Sequence, residues 1–475
     1  MVDVEKEARL KKKALSFGQQ HIFRFWDELN DRQKQQLLNQ IETINFDLMV
    51  ILKEKYLKQS KSSLASSDLE PTDIIPIPTT AQQIARAEQA KLVGEQLLKK
   101  GKVGAILVAG GQGTRLGFDG PKGKFSAGPI SRKSLFQLHA EKIKAIGQKY
   151  QTIIPWFIMT SETNHQETLE FFNDHKHFGL NAADVIFFTQ SMIPAIDEQG
   201  RFFLDEKHHI FCNPNGHGGT IYALRDNGCL TEMKRRGIEE LFYFQVDNVL
   251  IKICDPIFLG YHHQAQAEMS SKVVRKTDPE EKVGVIGKIN GKLTVIEYSD
   301  LPQSAMEARD ETGQLKYHSG SIAIHAIRRD FIERLTDRDF SLPYHVAHKA
   351  IPYIDEMGNY IEPDSPNGYK FEMFIFDALP YASNSVVMEV ARQDEFSPIK
   401  DADGKNSPAT AEQDLMNYFG RMLQRAGVSV VFDHNNNLSG KLEISSLFAL
   451  DVAELKQKLP PNFRFDGEMY FAPEQ

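Results

Sequence analysis

The hydrophobic positions along the chain change period several times, and each change marks an element. Between residues 15 and 57 they recur at helical spacing. Ile22, Phe23, Phe25, Trp26 and Leu29 come first, then Leu37, Leu38 and Ile41 on one face behind Asn30 or Asp31 as a cap. Residues 58–80 lose the period and turn to Ser, Pro and Thr, which predicts a linker or extended arm. A helix returns over 81–101. From 103 to about 260, short apolar runs alternate with helical segments. Strands are predicted at 103–109, 153–160, 184–189 and 240–246, and helices at 134–149, 165–177 and 219–236. A two-stranded excursion follows the third strand. This alternation predicts an α/β fold with a doubly wound, mostly parallel sheet, whose ligands lie at the carboxyl ends of the strands.

Beyond residue 260 the pattern is less regular. Residues 270–300 read as a β excursion with a type I′ turn at Asn290-Gly291. Residues 330–352 read as mixed and largely helical. A helix over 412–425 precedes Val428–Phe432 and a turn at 435–440. The expected organisation is an N-terminal helical segment and linker (1–80), a catalytic α/β domain (81–405) and a small C-terminal α+β module (406–475).

Bulk properties narrow the function. The chain has 475 residues and a net charge of −8, which argues against nucleic acid as the partner. Any anionic substrate has to be held by local cations. Cys212, Cys229 and Cys254 show no Cys-x-x-Cys spacing and read as reduced core cysteines of a cytoplasmic protein. No stretch reaches the ~18 apolar residues of a membrane span, and the charged N-terminus carries no apolar leader. The sequence leaves the oligomeric state open, and a monomer suits it.

The chemistry concentrates after the strand at 103–109. Ala109-Gly110-Gly111-Gln112-Gly113-Thr114-Arg115-Leu116-Gly117 runs on to Pro121-Lys122-Gly123. Gly110, Gly111 and Gly113 let backbone N–H groups approach a phosphate chain, and Arg115 and Lys122 bring two cations to the same loop. The spacing does not fit a dinucleotide fingerprint, because Gly117 falls one position late. It does not fit a P-loop, because Gly123 follows Lys122. A nucleoside triphosphate attacked at its α-phosphorus suits the loop better.

These residues resemble the UDP-sugar pyrophosphorylase family, and within it the UDP-N-acetylhexosamine pyrophosphorylase branch. The same order continues through Ser131–Glu141, Phe187–Gln190, Asn215–Gly219, Val246–Asn248, Val273–Pro279, Val295–Ser299, Phe374–Asp377 and Asp394–Lys400. The resemblance implies a Rossmann-like nucleotidyltransferase fold and Mg²⁺-dependent uridylyl transfer. UTP and a sugar 1-phosphate would give a UDP-sugar and pyrophosphate. N-acetylglucosamine 1-phosphate is the leading acceptor, ahead of glucose or galactose 1-phosphate. A non-catalytic UDP-sugar sensor is the rival from another class.

Site residues follow from the resemblance. Arg115 and Lys122 are expected at the pyrophosphate and α-phosphate, since a forked guanidinium matches phosphate oxygens. Lys400 matches a further phosphate-reaching position. Ala109, Gly110, Gly111, Gln190 and Gly216 are expected at the uracil, with Gly113 and Thr114 also on the nucleotide; a Gln amide suits an imide edge. Asp247 ends a strand and is expected at the nucleotide or at Mg²⁺. His217, Glu297, Gly320, Ser321, Glu372, Phe374 and Phe376 match sugar-pocket positions.

Two of these depart from the branch. Its eukaryotic members read Gly-Asn-Gly-Gly where this chain reads Gly216-His217-Gly218-Gly219, and glucose-using relatives read Gly-His-Gly-Asp. Ser321 replaces a common Asn. Both changes bear on the sugar and leave the uridylyl transfer untouched.

Overall fold

A computed structural model of the chain describes residues 3–57, 68–337 and 340–473. It divides into two compact units.

The first unit joins the described residues of 1–63 to residues 190–219 and 342–375. Its helices start where side chains cap them: Asp3 before Val4–Ser16, Asn30 before Asp31–Thr43, and Asn45 before Phe46–Leu52. Asn30 and Gln33 form a reciprocal capping box, so two orphan N–H groups are satisfied at once. Between the first two helices the chain runs through short 3-10 turns, Gln20–Phe23 and Trp26–Glu28. Leu10, Ile22, Leu37, Ile41 and Phe46 share one core with Ile193, Ile210 and Phe371. Residues far along the chain thus complete the core of the N-terminal helices.

The second unit holds a ten-stranded sheet. In chain order its strands are β1 Leu69–Pro71, β2 Val103–Val108, β3 Trp156–Thr160, β4 Val185–Thr189, β5 Glu240–Gln245, β6 Met269–Arg275, β7 Val285–Ile289, β8 Lys292–Ile296, β9 Ser319–Arg328 and β10 Val387–Glu389. The order β1-β7-β9-β5-β2-β3-β4 is parallel across β5-β2-β3-β4. It becomes antiparallel from β9 outward. β6 pairs antiparallel with β9 and parallel with β10, and β8 closes a hairpin on β7. The unbroken apolar runs of β2, β3 and β5 are explained by burial on both faces. The fold is therefore mixed α/β with a parallel centre.

Two expectations need correction. The helix expected at 219–236 is two, Thr220–Asp226 and Cys229–Arg235, divided at Gly228, whose φ of +72° no helix interior accepts. Residues 330–352 are not largely helical: a helix covers Arg329–Thr336, and Tyr344–Lys349 is a strand paired with Gly368–Met373. Within the expected arm at 58–80, residues 58–67 lie outside the described residues, while Leu69–Pro71 is an edge strand that tolerates its proline. The hairpin turn at Asn290-Gly291 has positive φ at both residues, as a type I′ turn requires.

At the C-terminal end, Ser407 caps the helix Pro408–Arg425. Ala411 and Leu415 on that helix join the main core, while Met422 and Leu423 join Leu442, Leu455 and Phe471 in a smaller one.

Candidate active site

The Gly-rich loop leaves β2 and folds back on itself. Gly113 N–H donates to the Gly120 carbonyl at 2.9 Å, and Lys122 N–H to the Gly111 carbonyl at 3.1 Å. From the other side Asn164 Nδ2 donates to the Ala109 carbonyl at 2.9 Å and Ser161 Oγ to the Gly110 carbonyl at 2.8 Å. The carbonyls are thus taken by the protein. Two glycines of the loop differ in kind. A Cβ on Gly113 would stand 2.7 Å from the Phe118 ring, so packing demands that glycine. A Cβ on Gly111 would meet no atom of the described residues beyond its chain neighbours within 4 Å.

Thr114 and Arg115 lie exposed on the short turn Thr114–Leu116. The Arg115 guanidinium has no hydrogen-bond or ion-pair partner among the described residues. Lys122 is buried, and its Nζ stands 3.3 Å from Asp247 Oδ2. Asp247 follows β5, the neighbour of β2, so both arrive at the carboxyl end of the parallel strands. The Asp247 carbonyl accepts the Ile399 N–H at 2.9 Å, and the Arg115 carbonyl accepts the Ala402 N–H at 3.1 Å. These two bonds fix the segment carrying Lys400, whose ammonium also has no partner among the described residues. The structure therefore brings Arg115, Lys122, Asp247 and Lys400 into one hydrogen-bonded set of loops.

Gly320 and Ser321 begin β9, which runs antiparallel to β5 and so starts where β5 ends. Ser321 N–H donates to the Gly284 carbonyl at 2.8 Å. Glu297 reaches the same neighbour, its Oε1 lying 3.2 Å from where a Gly284 Cβ would be. Phe376 is buried in the 3-10 stretch Ile375–Tyr381.

The remaining expected residues belong to the first unit. Gly216 and Gly218 press backbone to backbone on Glu372–Phe374. A Cβ on Gly216 would stand 2.4 Å from the Met373 carbonyl oxygen, and Gly216 has φ +84°. The His217 ring stacks on Phe374 at 5.2 Å, and Phe374 stacks on His345 at 4.1 Å. Burial, with His345 nearby, holds the His217 imidazole down to about 4. Neutral His217 accepts the Ile375 N–H at Nδ1, 3.2 Å away. Gln190 is buried, and its amide oxygen has no hydrogen-bond partner among the described residues. A buried acceptor left unpaired costs about 1–3 kcal/mol unless a ligand donor satisfies it.

Sequence reasoning missed the residues that hold the Asp247 loop. Asn248 Nδ2 donates to the Glu395 carbonyl at 2.7 Å, and its Oδ1 accepts the Ser397 N–H at 3.0 Å. On the helix Leu135–Tyr150, His139 Nε2 donates to the Val246 carbonyl at 2.9 Å. Lys142 Nζ, one turn further, donates to the carbonyls of Val249 at 2.6 Å and Ile251 at 3.0 Å. The i, i+3 spacing of His139 and Lys142 was the available signal, since it puts both on one helix face.

A parallel-centred sheet with a Gly-rich turn and three cations at its carboxyl end defines a nucleotide-handling α/β protein. Comparison with known proteins is more specific. The sequence profile of the UTP–glucose-1-phosphate uridylyltransferase family matches residues 47–434. The human UDP-N-acetylhexosamine pyrophosphorylase-like protein 1 is 36% identical over 88% of this chain and 85% of its own. The UDP-N-acetylglucosamine pyrophosphorylase of Saccharomyces cerevisiae is 36% identical over 87% of this chain and 90% of its own. The crystal structure of the Trypanosoma brucei uridine diphosphate N-acetylglucosamine pyrophosphorylase, solved with an inhibitor, matches with a TM-score of 0.84 at 27% identity. It covers all of this chain and 99% of that one. The chain belongs to the UTP–glucose-1-phosphate uridylyltransferase family. Among the described residues no helix is long and apolar enough to cross a membrane.

Proposed function

We propose that this uridylyltransferase makes UDP-N-acetylglucosamine and pyrophosphate from UTP and N-acetylglucosamine 1-phosphate. A phosphate oxygen of the sugar forms a bond to the α-phosphorus of UTP. The bond from that phosphorus to the α–β bridging oxygen breaks, and its electron pair leaves on pyrophosphate. The nucleophile is already an anion, so no general base is needed, and catalysis is positioning plus charge stabilisation.

The observation that carries this reading is the pair of cations without partners among the described residues, Arg115 and Lys400, beside the buried Lys122. Arg115 takes the leaving pyrophosphate, Lys122 the α-phosphate, and Lys400 a further phosphate oxygen. Ala109, Gly110, Gly111, Gly113 and Thr114 line the nucleotide. The unpaired Gln190 oxygen suits the imide N–H of uracil, with Gly216 alongside. Glu297, Gly320, Ser321, Glu372, Phe374 and Phe376 contact the sugar.

His217 fits this acceptor better than its sequence context suggests. Its Nδ1 accepts a backbone N–H, and an Asn side-chain oxygen could accept the same bond. The change from Asn to His keeps that function in the loop.

The site also suits Mg²⁺. Among the described residues no group of three or more His, Cys, Asp or Glu side chains could hold a metal. Mg²⁺ commonly takes only one or two carboxylates, with waters and substrate phosphates as the rest. Asp247 is the residue that would hold it. When bound, the ion neutralises phosphate charge. Cys212, Cys229 and Cys254 are all free thiols, which supports a cytoplasmic location.

The test is pyrophosphate release from UTP and Mg²⁺ with a panel of sugar 1-phosphates. The highest kcat/KM is expected with N-acetylglucosamine 1-phosphate. Preference for glucose or galactose 1-phosphate would reassign the sugar. Binding of UDP-sugars without turnover on any acceptor would make the chain a sensor.

A further inference from the structure

A cavity of about 510 Å³ lies within the second unit, and none of the expected site residues lines it. Leu138, Ile146, Leu415 and Met422 form apolar walls. One side is the segment Val249–Pro256, which continues directly from the Asp247 loop. The volume is within the range that holds a drug-sized molecule.

Charge bookkeeping around the wall leaves one group over. Every lining carboxylate has a donor. Glu395 takes Lys272 and Lys252, Asp255 takes Lys272, and Asp394 takes Arg421 and Arg425. Glu141 takes Lys133, Glu389 takes Arg275, Asp451 takes Lys149, and Glu88 takes Lys91. Glu443 accepts the N–H groups of Ile130 and Ser131. Among the described residues, Lys142 is the lining cation with no carboxylate at ion-pair distance, and Glu395 acts on it only through space. Its Nζ has only the carbonyls of Val249 and Ile251, which leaves one of its three N–H donors over. Burial brings this ammonium down to about 7, so an anion beside it would restore its charge.

We propose that this cavity is a second small-molecule site, taking a ligand with an apolar body and a single anionic head that pairs with Lys142 Nζ. Such a head takes the spare N–H of the same ammonium that holds the Val249 and Ile251 carbonyls, and its charge draws on both bonds. Occupancy therefore acts on the loop that follows Asp247, and it changes kcat without displacing UTP.

The probe is 8-anilinonaphthalene-1-sulfonate, an aromatic monoanion, titrated by fluorescence against the full chain at saturating UTP. One probe is expected per chain. It should bind about 10-fold or more tightly than uncharged N-phenyl-1-naphthylamine, as one charge-assisted contact implies. Lys142→Met should erase that preference, and Leu415→Trp should block both probes by filling the cavity. Hydrogen exchange on the unmodified chain keeps the idea testable if a variant does not fold: the probe should protect residues 249–255. At saturating probe, kcat should shift at least about 2-fold with the KM for UTP unchanged. Displacement by UTP, equal binding of the two probes, protection confined to other segments, or an unchanged kcat would each overturn the proposal.

Discussion

The side-chain amide of Asn248 holds the backbone at Ser397. The Ser397 N–H donates to Oδ1 at 3.0 Å while Nδ2 donates to the Glu395 carbonyl at 2.7 Å. Asn248 is 3% exposed, so neither bond has water as a substitute. Through it the loop bearing Asp247 is fixed to the segment that ends at Lys400. Asn248→Ala leaves three buried backbone groups without their partner, at Glu395, Ser397 and Leu250, and should cost about 2–4 kcal/mol of stability. Asn248→Asp keeps the acceptor but loses the donor and turns a charge on a carbonyl, so it should be at least as harmful. In both, kcat should fall more than the KM for UTP rises, because the residue positions and does not bind. Steady-state kinetics on folded protein decides: a pure KM effect would remove Asn248 from this role.

The three cations should separate stability from turnover. Arg115 and Lys400 have no protein partner among the described residues, so Arg115→Ala and Lys400→Ala should leave stability within about 0.5 kcal/mol. Turnover should nevertheless drop about 10²–10³-fold, the cost of one lost transition-state donor. Lys122→Ala differs, because it strands the buried Asp247 carboxylate, 3.3 Å from Lys122 Nζ. That variant should lose both turnover and stability. Urea melts alongside pyrophosphate-release assays test the split. Near-normal turnover in Arg115→Ala would refute its assignment.

How much of this was legible in the sequence depends on how local the cause is. The run Val103–Val108 into Gly110–Gly113 shows itself because a buried parallel strand is apolar throughout and its loop is spelled in glycines. Asn30 with Gln33, and Asn290 with Gly291, are equally local signals. The strand Tyr344–Lys349 was not legible. Its partner, Gly368–Met373, lies some twenty residues on, and its alternation includes histidines that read as polar helix surface. The compact first unit was hidden for the same reason: Phe371 completes a core with Leu10 and Leu37, and no window of sequence contains all three. For the site, Arg115, Lys122 and Asp247 carry chemistry in their side chains and follow strands. Asn248 acts through backbone groups at Glu395 and Ser397, about 150 residues away in sequence, so nothing near it announces the role.

Gly111 and Gly113 offer a sharper test of the loop. Neither packing nor a positive φ demands glycine at 111, since a Cβ there meets no atom of the described residues beyond its chain neighbours within 4 Å. Gly111→Ala should therefore melt like the parent, or slightly higher through a stiffer unfolded chain. If a nucleotide comes close to this backbone, the added methyl should raise the KM for UTP about 10-fold or more. Gly113→Ala collides with Phe118 and should lose stability whatever the ligand does. Unchanged UTP kinetics in Gly111→Ala would move the nucleotide off this part of the loop.

Two depressed histidines set the acid side of the stability profile. Burial, with His345 beside it, holds His217 at about 4, and burial with Lys142 nearby holds His139 at about 3. Both lie below the ordinary value of 6.5, so the folded state keeps each ring neutral while the unfolded chain protonates it. Their contribution is therefore fully present above about pH 6.5 and is lost as the pH falls from there toward the folded values. Between pH 7 and 5 each should cost about 1–2 kcal/mol. Neutrality is structural in both cases: His217 Nδ1 accepts the Ile375 N–H, and His139 sits fully buried with Nε2 on the Val246 carbonyl. His217→Asn keeps an acceptor for Ile375 without a titratable ring, so it should lose less stability than the parent over the same interval. Denaturant midpoints of the two proteins at pH 7 and pH 5 measure this directly. Equal losses in both would mean that His217 does not titrate between the folded and unfolded states.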